Sequence, residues 1–431
     1  MGGMIEDAGR VRDLAAAMAA GTLTSEALVR RCLTRIAAVD GQVQAWVHVL
    51  AEEALAAARA LDAERAAGVV RGPLHGIPVA VKDVIDVAGL PTQANSPSRA
   101  EIAPATADAT VVAHLRVAGA VILGKVHTTE YAYFNSLPPT RNPWDLTRTP
   151  GGSSAGSGAA IASGTVPLAL GTQTAGSVNR PAAYTGVGAF KPSTLAIGGV
   201  GVVPLAPSFD TVGAFGGSAQ DAAYCAAGYA ADHLGLRMPK PVKPRIVVLE
   251  DAMVAAKTRP GTAAAVAALV GRLEAAGLAV RRAASPVPLE AMLETHRGVM
   301  VAELGRTHAR APRDLVSARI AADIEAGLAT SEAEYHAGLR ALAGYRQDFW
   351  AAFGPEDVLL VPAAPDVAPD AATTGDPSFV IPLTVLGGPI ATVRAGMDGG
   401  MPVGALLFAA PGADARLARF LLSPLGTELD L

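Results

Sequence analysis

Residues 149–182 read TPGGSSAGSGAAIASGTVPLALGTQTAGSVNRPA, and the fold turns on how this stretch is understood. No charged side chain lies between Arg148 and Arg180. The run is rich in Gly, Ser and Thr, with Pro167 inside, so it is not one lipid-facing helix. Apolar Ala159–Ala162 directly follows the loop Thr149–Ser157, which predicts a buried helix whose first amides face that loop. Three chemistries compete for such a loop. A Walker phosphate cradle needs Gly-Lys-Ser/Thr at its end, and no lysine lies between Lys125 and Lys191. A dinucleotide loop needs a third glycine and a preceding strand, and Gly156-Ser157-Gly158 has neither. A nucleophile elbow fits in spelling, because Gly152-Ser153-Ser154-Ala155-Gly156 is G-x-S-x-G and would make Ser154 the nucleophile. An elbow must follow a hydrophobic strand, and NPWDLTRTP over 142–150 is not one.

The second half of the stretch, Gly171 to Ala182, sets Ser177 after small residues. Backbone N–H groups left free in a tight turn suit a nucleophile with an oxyanion hole, since small side chains let amides approach a developing charge. One such donor is typically worth roughly 3 kcal/mol in the transition state.

Outward from this centre, the pattern alternates between strand and helix. Val79–Val81 is a short buried strand ending at Lys82. Thr110–Ala118 reads as a helix closed by Gly119, and Val121–Leu123 as another strand. The unit recurs as strand Arg245–Glu250, helix Thr262–Ala276 with Thr262 as N-cap, and strand Leu278–Val280. Asp357–Val361 is a further strand. Ile390–Ala395 and Val403–Phe408 flank Asp398-Gly399-Gly400 as a hairpin. Residues 11–66 read as helices, beginning with Leu14–Ala20 before Gly21. The expectation is an α/β fold: one large domain over 1–431, with a helical N-terminal part over about 1–67. Its central mixed sheet is covered by helices on both faces. A domain break at the proline-rich Pro239–Pro244 would leave each half with an incomplete sheet.

Composition narrows the class. The chain has 431 residues, 51% hydrophobic and 17% charged, with a formal net charge of -4. That balance points away from nucleic acid and from anionic membrane surfaces. The two cysteines, Cys32 and Cys225, form no C-x-x-C, and the eight histidines show no metal spacing, so no metal or cofactor is expected. No signal peptide is evident, and a reducing, cytoplasmic setting is the default.

The motifs together resemble the amidase signature family over nearly the whole chain. Val81-Lys82-Asp83 is similar to its lysine motif. Thr140–Trp144 and Thr149–Ser154 are similar to its Gly/Ser-rich core, and Ser177 follows Ser153 at the family's spacing. Gly186–Pro192 and Gly387-Gly388-Pro389 continue the likeness. The resemblance implies Ser177 as nucleophile, Ser153 after a cis peptide from Gly152 as proton relay, and Lys82 as base. It implies an oxyanion hole from the N–H groups of Thr174, Ala175, Gly176 and Ser177. A free lysine titrates at about 10.4, and lowering it by about three units takes roughly 4 kcal/mol, which burial beside an uncharged stretch supplies. A neutral lysine acting through Ser153 needs no histidine.

Two departures stand out. Gln173 occupies a position that is usually acidic, and Asn179 one that is usually arginine. With Arg180 next, the arrangement resembles malonamidase-like small amidases, which implies Arg180 pairing with a substrate carboxylate, a structural salt bridge being the equal alternative, and Gln173 near the substrate. Ser154 reads first as a residue bonding loop backbone and second as a substrate neighbour. Asp83 and Asp86 read as loop-holding residues. The expected activity is hydrolysis of small linear amides to carboxylate and ammonia through an acyl-enzyme. Within that chemistry a ureide-type hydrolase or a glutaminase subunit feeding a partner is the alternative. A catalytically silent binding or assembly protein is the alternative of another class. The expected ligand is a small-molecule amide, with no nucleic acid or membrane partner, and the resemblance allows a homodimer.

Overall fold

Pro78-Val-Ala-Val-Lys82 is wholly buried, and a strand buried on both faces demands cover on both. It is one of eleven strands among the described residues. In chain order they are β1 (Trp46–Val49), β2 (Pro78–Lys82), β3 (Val121–Val126), β4 (Leu168–Gln173), β5 (Gly188–Lys191), β6 (Thr211–Gly216), β7 (Arg245–Glu250), β8 (Val280–Ala284), β9 (Asp357–Pro362), β10 (Ile390–Asp398) and β11 (Met401–Phe408). The computed structural model describes every residue except 1–2, 135, 231–233, 236–241 and 430–431.

All eleven strands join one mixed sheet, in the order β1-β3-β2-β4-β6-β5-β10-β11-β9-β7-β8. Parallel pairing holds β3-β2-β4 at one end and β9-β7-β8 at the other. Antiparallel pairs β4-β6, β6-β5, β5-β10, β10-β11 and β11-β9 bridge them. The sheet runs through both halves of the sequence without a break, so the fold is the single α/β domain that the strand–helix alternation predicts. The expected hairpin is present, with Asp398 opposite Met401 and Gly399 and Gly400 both at positive φ.

Several boundaries differ from the sequence expectation. The N-terminal part is not purely helical, because β1 pairs with β3 between two helices. The helix expected from Thr262 starts at Pro260, with Arg259 as N-cap, and the Thr262 hydroxyl is buried inside the first turn without a partner. A proline at the first helical position is already suited to starting it. β8 begins where the expected strand ended, at Val280, because Leu278 is taken up by the turn after the helix. Residues 239–241 of Pro239–Pro244 lie outside the described residues. Among the described residues, no helix is long and apolar enough to cross a membrane.

Candidate active site

β2 and β4 are parallel neighbours, with Val81 opposite Leu170, so their carboxyl ends emerge side by side. That register brings Lys82 to Thr172. The Lys82 ammonium nitrogen donates to Thr172 Oγ1 at 2.8 Å and to Ser153 Oγ at 2.7 Å. Lys82 is fully buried, and among the described residues no carboxylate lies within ion-pair distance of it. Burial holds its pKa well below the ordinary lysine value, opposed in part by the charge of Asp210.

Ser153 arrives from the loop before the buried helix Ala155–Ala162, and the Gly152–Ser153 peptide is cis. Gly151 has φ +81, which favours glycine, and a Cβ there would sit 2.7 Å from Pro181 Cα. The helix is stitched to β4 by Ser157 Oγ donating to Leu170 O at 2.9 Å. Ser154 Oγ bonds only backbone, donating to Thr172 O at 3.3 Å and accepting from Thr172 N–H at 3.4 Å. It is wholly buried and faces β4, in keeping with its reading as a residue that bonds loop backbone.

The turn Thr174–Ser177 follows β4, and its four carbonyls are all engaged. Thr174 O accepts from His296 Nε2 at 2.9 Å, and Ala175 O from the Thr384 hydroxyl at 2.6 Å. Gly176 O accepts from Arg180 N–H at 2.9 Å, and Ser177 O from Ser154 N–H at 3.3 Å. The N–H groups of the same four residues donate to no protein acceptor among the described residues. The carbonyls are thus pinned, while the amides of the same turn are left without a protein acceptor among the described residues. Burial of His296 lowers its pKa to about 4, so its imidazole is neutral and donates from Nε2.

Gln173 shapes this turn. Its Oε1 accepts from Val178 N–H at 2.8 Å and Asn179 N–H at 3.0 Å. Its Nε2 donates to Asn179 Oδ1 at 2.9 Å and Thr384 Oγ1 at 3.0 Å. With both its oxygen and its amide nitrogen engaged inside the protein, Gln173 holds the loop. The two departures from the family pattern are thus partners. Where the usual residues are an acid and an arginine, this chain carries a neutral amide pair.

Arg180 is also buried, at 1% exposure. Its Nη1 donates to Gly375 O at 2.8 Å, and its Nη2 to Gly152 O at 2.7 Å and Thr374 Oγ1 at 3.2 Å. Only Nε lacks a partner. The guanidinium therefore braces the loop that carries Ser153, and the geometry offers little open face for the substrate carboxylate expected from the sequence.

The motif residues around the site act as clasps. Asn142 Nδ2 donates to Thr149 O and Tyr184 O at 3.0 and 2.8 Å, and Trp144 Nε1 to Thr185 O at 2.8 Å. Asp86 holds the Thr92 hydroxyl at 2.6 Å, as a loop-holding residue should. Asp83 instead pairs with buried Lys125 at 2.6 Å. Thr172, His296 and Thr384 are site residues that the sequence does not single out. Thr172 lies inside the decisive stretch, but the other two come from distant helices with no local signal. Among the described residues, no group of three or more His, Cys, Asp or Glu could hold a metal ion.

The pattern that defines the amidase family matches residues 27–418. The chain belongs to the amidase family. It is accordingly an enzyme that hydrolyses amide C–N bonds. It is 35% identical to a glutamyl-tRNA(Gln) amidotransferase chain of Salinispora arenicola, over 94% of each chain. It is 34% identical to the corresponding amidotransferase chain of Salinispora tropica, again over 94% of each. Both relatives are named as subunits of that amidotransferase. Among solved structures, this chain is similar to the peptide amidase of Stenotrophomonas maltophilia, with TM-score 0.82 and 28% identity over 97% of this chain and 96% of that one. A second solved amidase gives TM-score 0.86 and 29% identity over 96% and 99%.

Proposed function

We propose that this amidase cleaves small amides by an acyl-enzyme route with Ser177 as nucleophile, Ser153 as relay and neutral Lys82 as base. Ser177 Oγ adds to the amide carbonyl while its proton passes to Ser153 Oγ, whose own proton passes to Lys82 Nζ. The new oxyanion accepts hydrogen bonds from the Thr174–Ser177 amides. The C–N bond then breaks as the proton returns through Ser153 to the departing amine. Water repeats the sequence on the ester, releasing carboxylate and restoring Ser177.

The observation that carries this reading is the fully buried Lys82 Nζ, with no carboxylate at ion-pair distance among the described residues, lying 2.7 Å from Ser153 Oγ. A desolvated lysine without a counter-ion favours its neutral form, which is what a base requires. The unpaired amides of the Thr174–Ser177 turn would supply the electrostatic half of the catalysis, a single well-placed donor being typically worth roughly 3 kcal/mol. A fluorophosphonate probe should label Ser177 in the wild type and not in Ser177→Ala. Failure to label Ser177 would point to the silent binding protein.

A second reading rests on the relatives named as amidotransferase subunits. On it, the chain releases ammonia from glutamine for a partner chain. Glutamine hydrolysis that appears only when a partner is added would support it. Activity of the purified chain alone on simple amides would favour the first reading.

A further inference from the structure

The chain between β5 and β6 encloses, with the carboxyl end of β4, a cavity of about 270 Å³. Its apolar walls are Leu195, Ile197, Val202, Val203, Leu205 and Val212. Its polar lining includes Thr172, which binds Lys82, and Thr174, the first residue of the amide turn, so the cavity adjoins the proposed chemistry through these two residues. Asp210 is the one charged residue of the lining, with no Lys, Arg or His among the described residues there. Its carboxylate is already occupied. Oδ1 accepts from the Thr174 hydroxyl, and Oδ2 accepts from Leu205 N–H at 2.7 Å and Ala206 N–H at 3.1 Å.

We propose that this cavity seats the uncharged, apolar body of the substrate, so that amides of aliphatic or aromatic acids are preferred over amides carrying a free carboxylate. The inference rests on the catalytic reading above and names the substrate class for that same site. A carboxylate placed here would lose its water, meet no cation and lie near Asp210, which is costly on every count. An apolar group would instead leave water for Leu, Ile and Val side chains. Size fits as well. A dry apolar cavity of about 150 Å³ takes up benzene, so this one admits a six-membered ring with a short tail.

The test measures kcat/KM of the purified full chain on acetamide through hexanamide, on phenylacetamide, and on malonamate and succinamate. Fluorophosphonate labelling of Ser177 is followed in parallel. The expected series rises by about fourfold per methylene until the cavity fills. Phenylacetamide is expected to exceed succinamate by at least about a hundredfold. Val203→Arg, which brings a cation to the wall, should cut hexanamide turnover by about tenfold and raise succinamate relative to it. If that variant does not fold, Ile197→Ala should shift the best chain length upward by one or two methylenes. A flat series, or a preference for malonamate or succinamate with Ser177 still labelled, overturns the substrate class and leaves the catalytic reading intact. Absence of both labelling and hydrolysis overturns the catalytic reading, and this inference with it.

Discussion

Lys82 and Lys125 are both fully buried on adjacent parallel strands, yet only Lys125 has a carboxylate, Asp83 Oδ1, at 2.6 Å. Lys82 has hydroxyls instead, at Ser153 and Thr172. The fold thus gives one lysine a carboxylate that offsets part of the burial lowering its pKa, and withholds one from the other. The sheet register separates the two roles, since Lys82 lies opposite Val126 and points to the β4 side, where the decisive stretch carries no charge.

The first prediction concerns pH. Burial lowers the Lys82 pKa, and the base must be neutral, so kcat/KM should fall as pH drops through that lowered value and should hold above it. Lys82→Met should cost about 10²–10⁴-fold in kcat/KM. Its stability should not follow. In the native state Lys82 gives up its proton below the pH where the unfolded chain does, so wild-type stability rises with pH between the lowered value and about 10.4. Removing the amine removes that penalty, and Lys82→Met should melt no lower than wild type. A rate–pH profile and a melting curve on both proteins check the pair.

The second prediction separates two adjacent serines. The G-x-S-x-G spelling points to Ser154, but the Ser154 hydroxyl faces Thr172 backbone. Ser154→Ala should cost about 1 kcal/mol of stability and keep most activity. Ser153→Ala and Ser177→Ala should each lose at least about a thousandfold in kcat. Urea unfolding with steady-state kinetics on the three variants decides between the spellings. Abolished activity in Ser154→Ala with normal activity in Ser177→Ala would reverse the assignment.

These contrasts show what can be read from the sequence. Lys82 and Ser153 are singled out by the resemblance to the amidase signature family, since a strand-end lysine by itself reads as an ordinary one and the G-x-S-x-G spelling points to Ser154. Ser177 is also marked by the small residues before it. β10 and β11 are legible from a hairpin turn with two adjacent glycines. β1 escapes because four residues among helices, with a polar His48, carry little strand signal. The pinning of the amide turn is invisible for another reason. His296 and Thr384 reach Thr174 and Ala175 across 122 and 209 residues of chain, and no local periodicity encodes such a contact. Gln173 and Asn179 stand out as departures, but only the structure makes them one unit.

That unit gives the third prediction. Gln173→Glu places a carboxylate against Asn179 Oδ1, where the amide now donates at 2.9 Å in a buried site. The single variant should lose about 2 kcal/mol. Asn179→Arg alone buries an unpaired cation and should lose at least as much. Together they rebuild the acid–arginine pair of the family pattern, so the double variant should recover by about 1–3 kcal/mol relative to the sum. A double-mutant cycle by urea denaturation measures the coupling, and a value near zero would mean that the two positions are independent.

The fourth prediction concerns acid stability. His296 is buried and neutral, with its pKa lowered to about 4, and it donates to Thr174 O. The unfolded chain takes up a proton at this histidine near pH 6.5, and the native state only near pH 4. Its contribution is therefore fully present above about pH 6.5 and is lost as pH falls through that window, by up to about 3 kcal/mol. His296→Gln keeps a donor but no titration, so its unfolding free energy should fall less between about pH 7 and pH 5 than that of wild type. Identical pH slopes for the two proteins would remove His296 as the cause.

Arg180 yields the last prediction, because its two possible roles lead to opposite selectivity. The guanidinium donates to Gly152 O, whose next residue is Ser153, and to Gly375 O and Thr374 Oγ1 across the site. Burial lowers its pKa only to about 10, so it remains a cation at neutral pH. If bracing is its function, Arg180→Ala frees the Gly152 loop, and a displacement of Ser153 by about 1 Å costs about a hundredfold in rate. That loss should be equal for butyramide and succinamate, since the fault lies in the catalytic group. Arg180→Lys restores charge but not the fork that reaches three oxygens, so it should recover little. If instead the arginine pairs with substrate anions, the loss in Arg180→Ala should be confined to succinamate, with butyramide spared and lysine a partial rescue. Parallel kcat/KM values for the two amides in wild type and both variants separate these outcomes, and the three occupied oxygens favour the uniform loss.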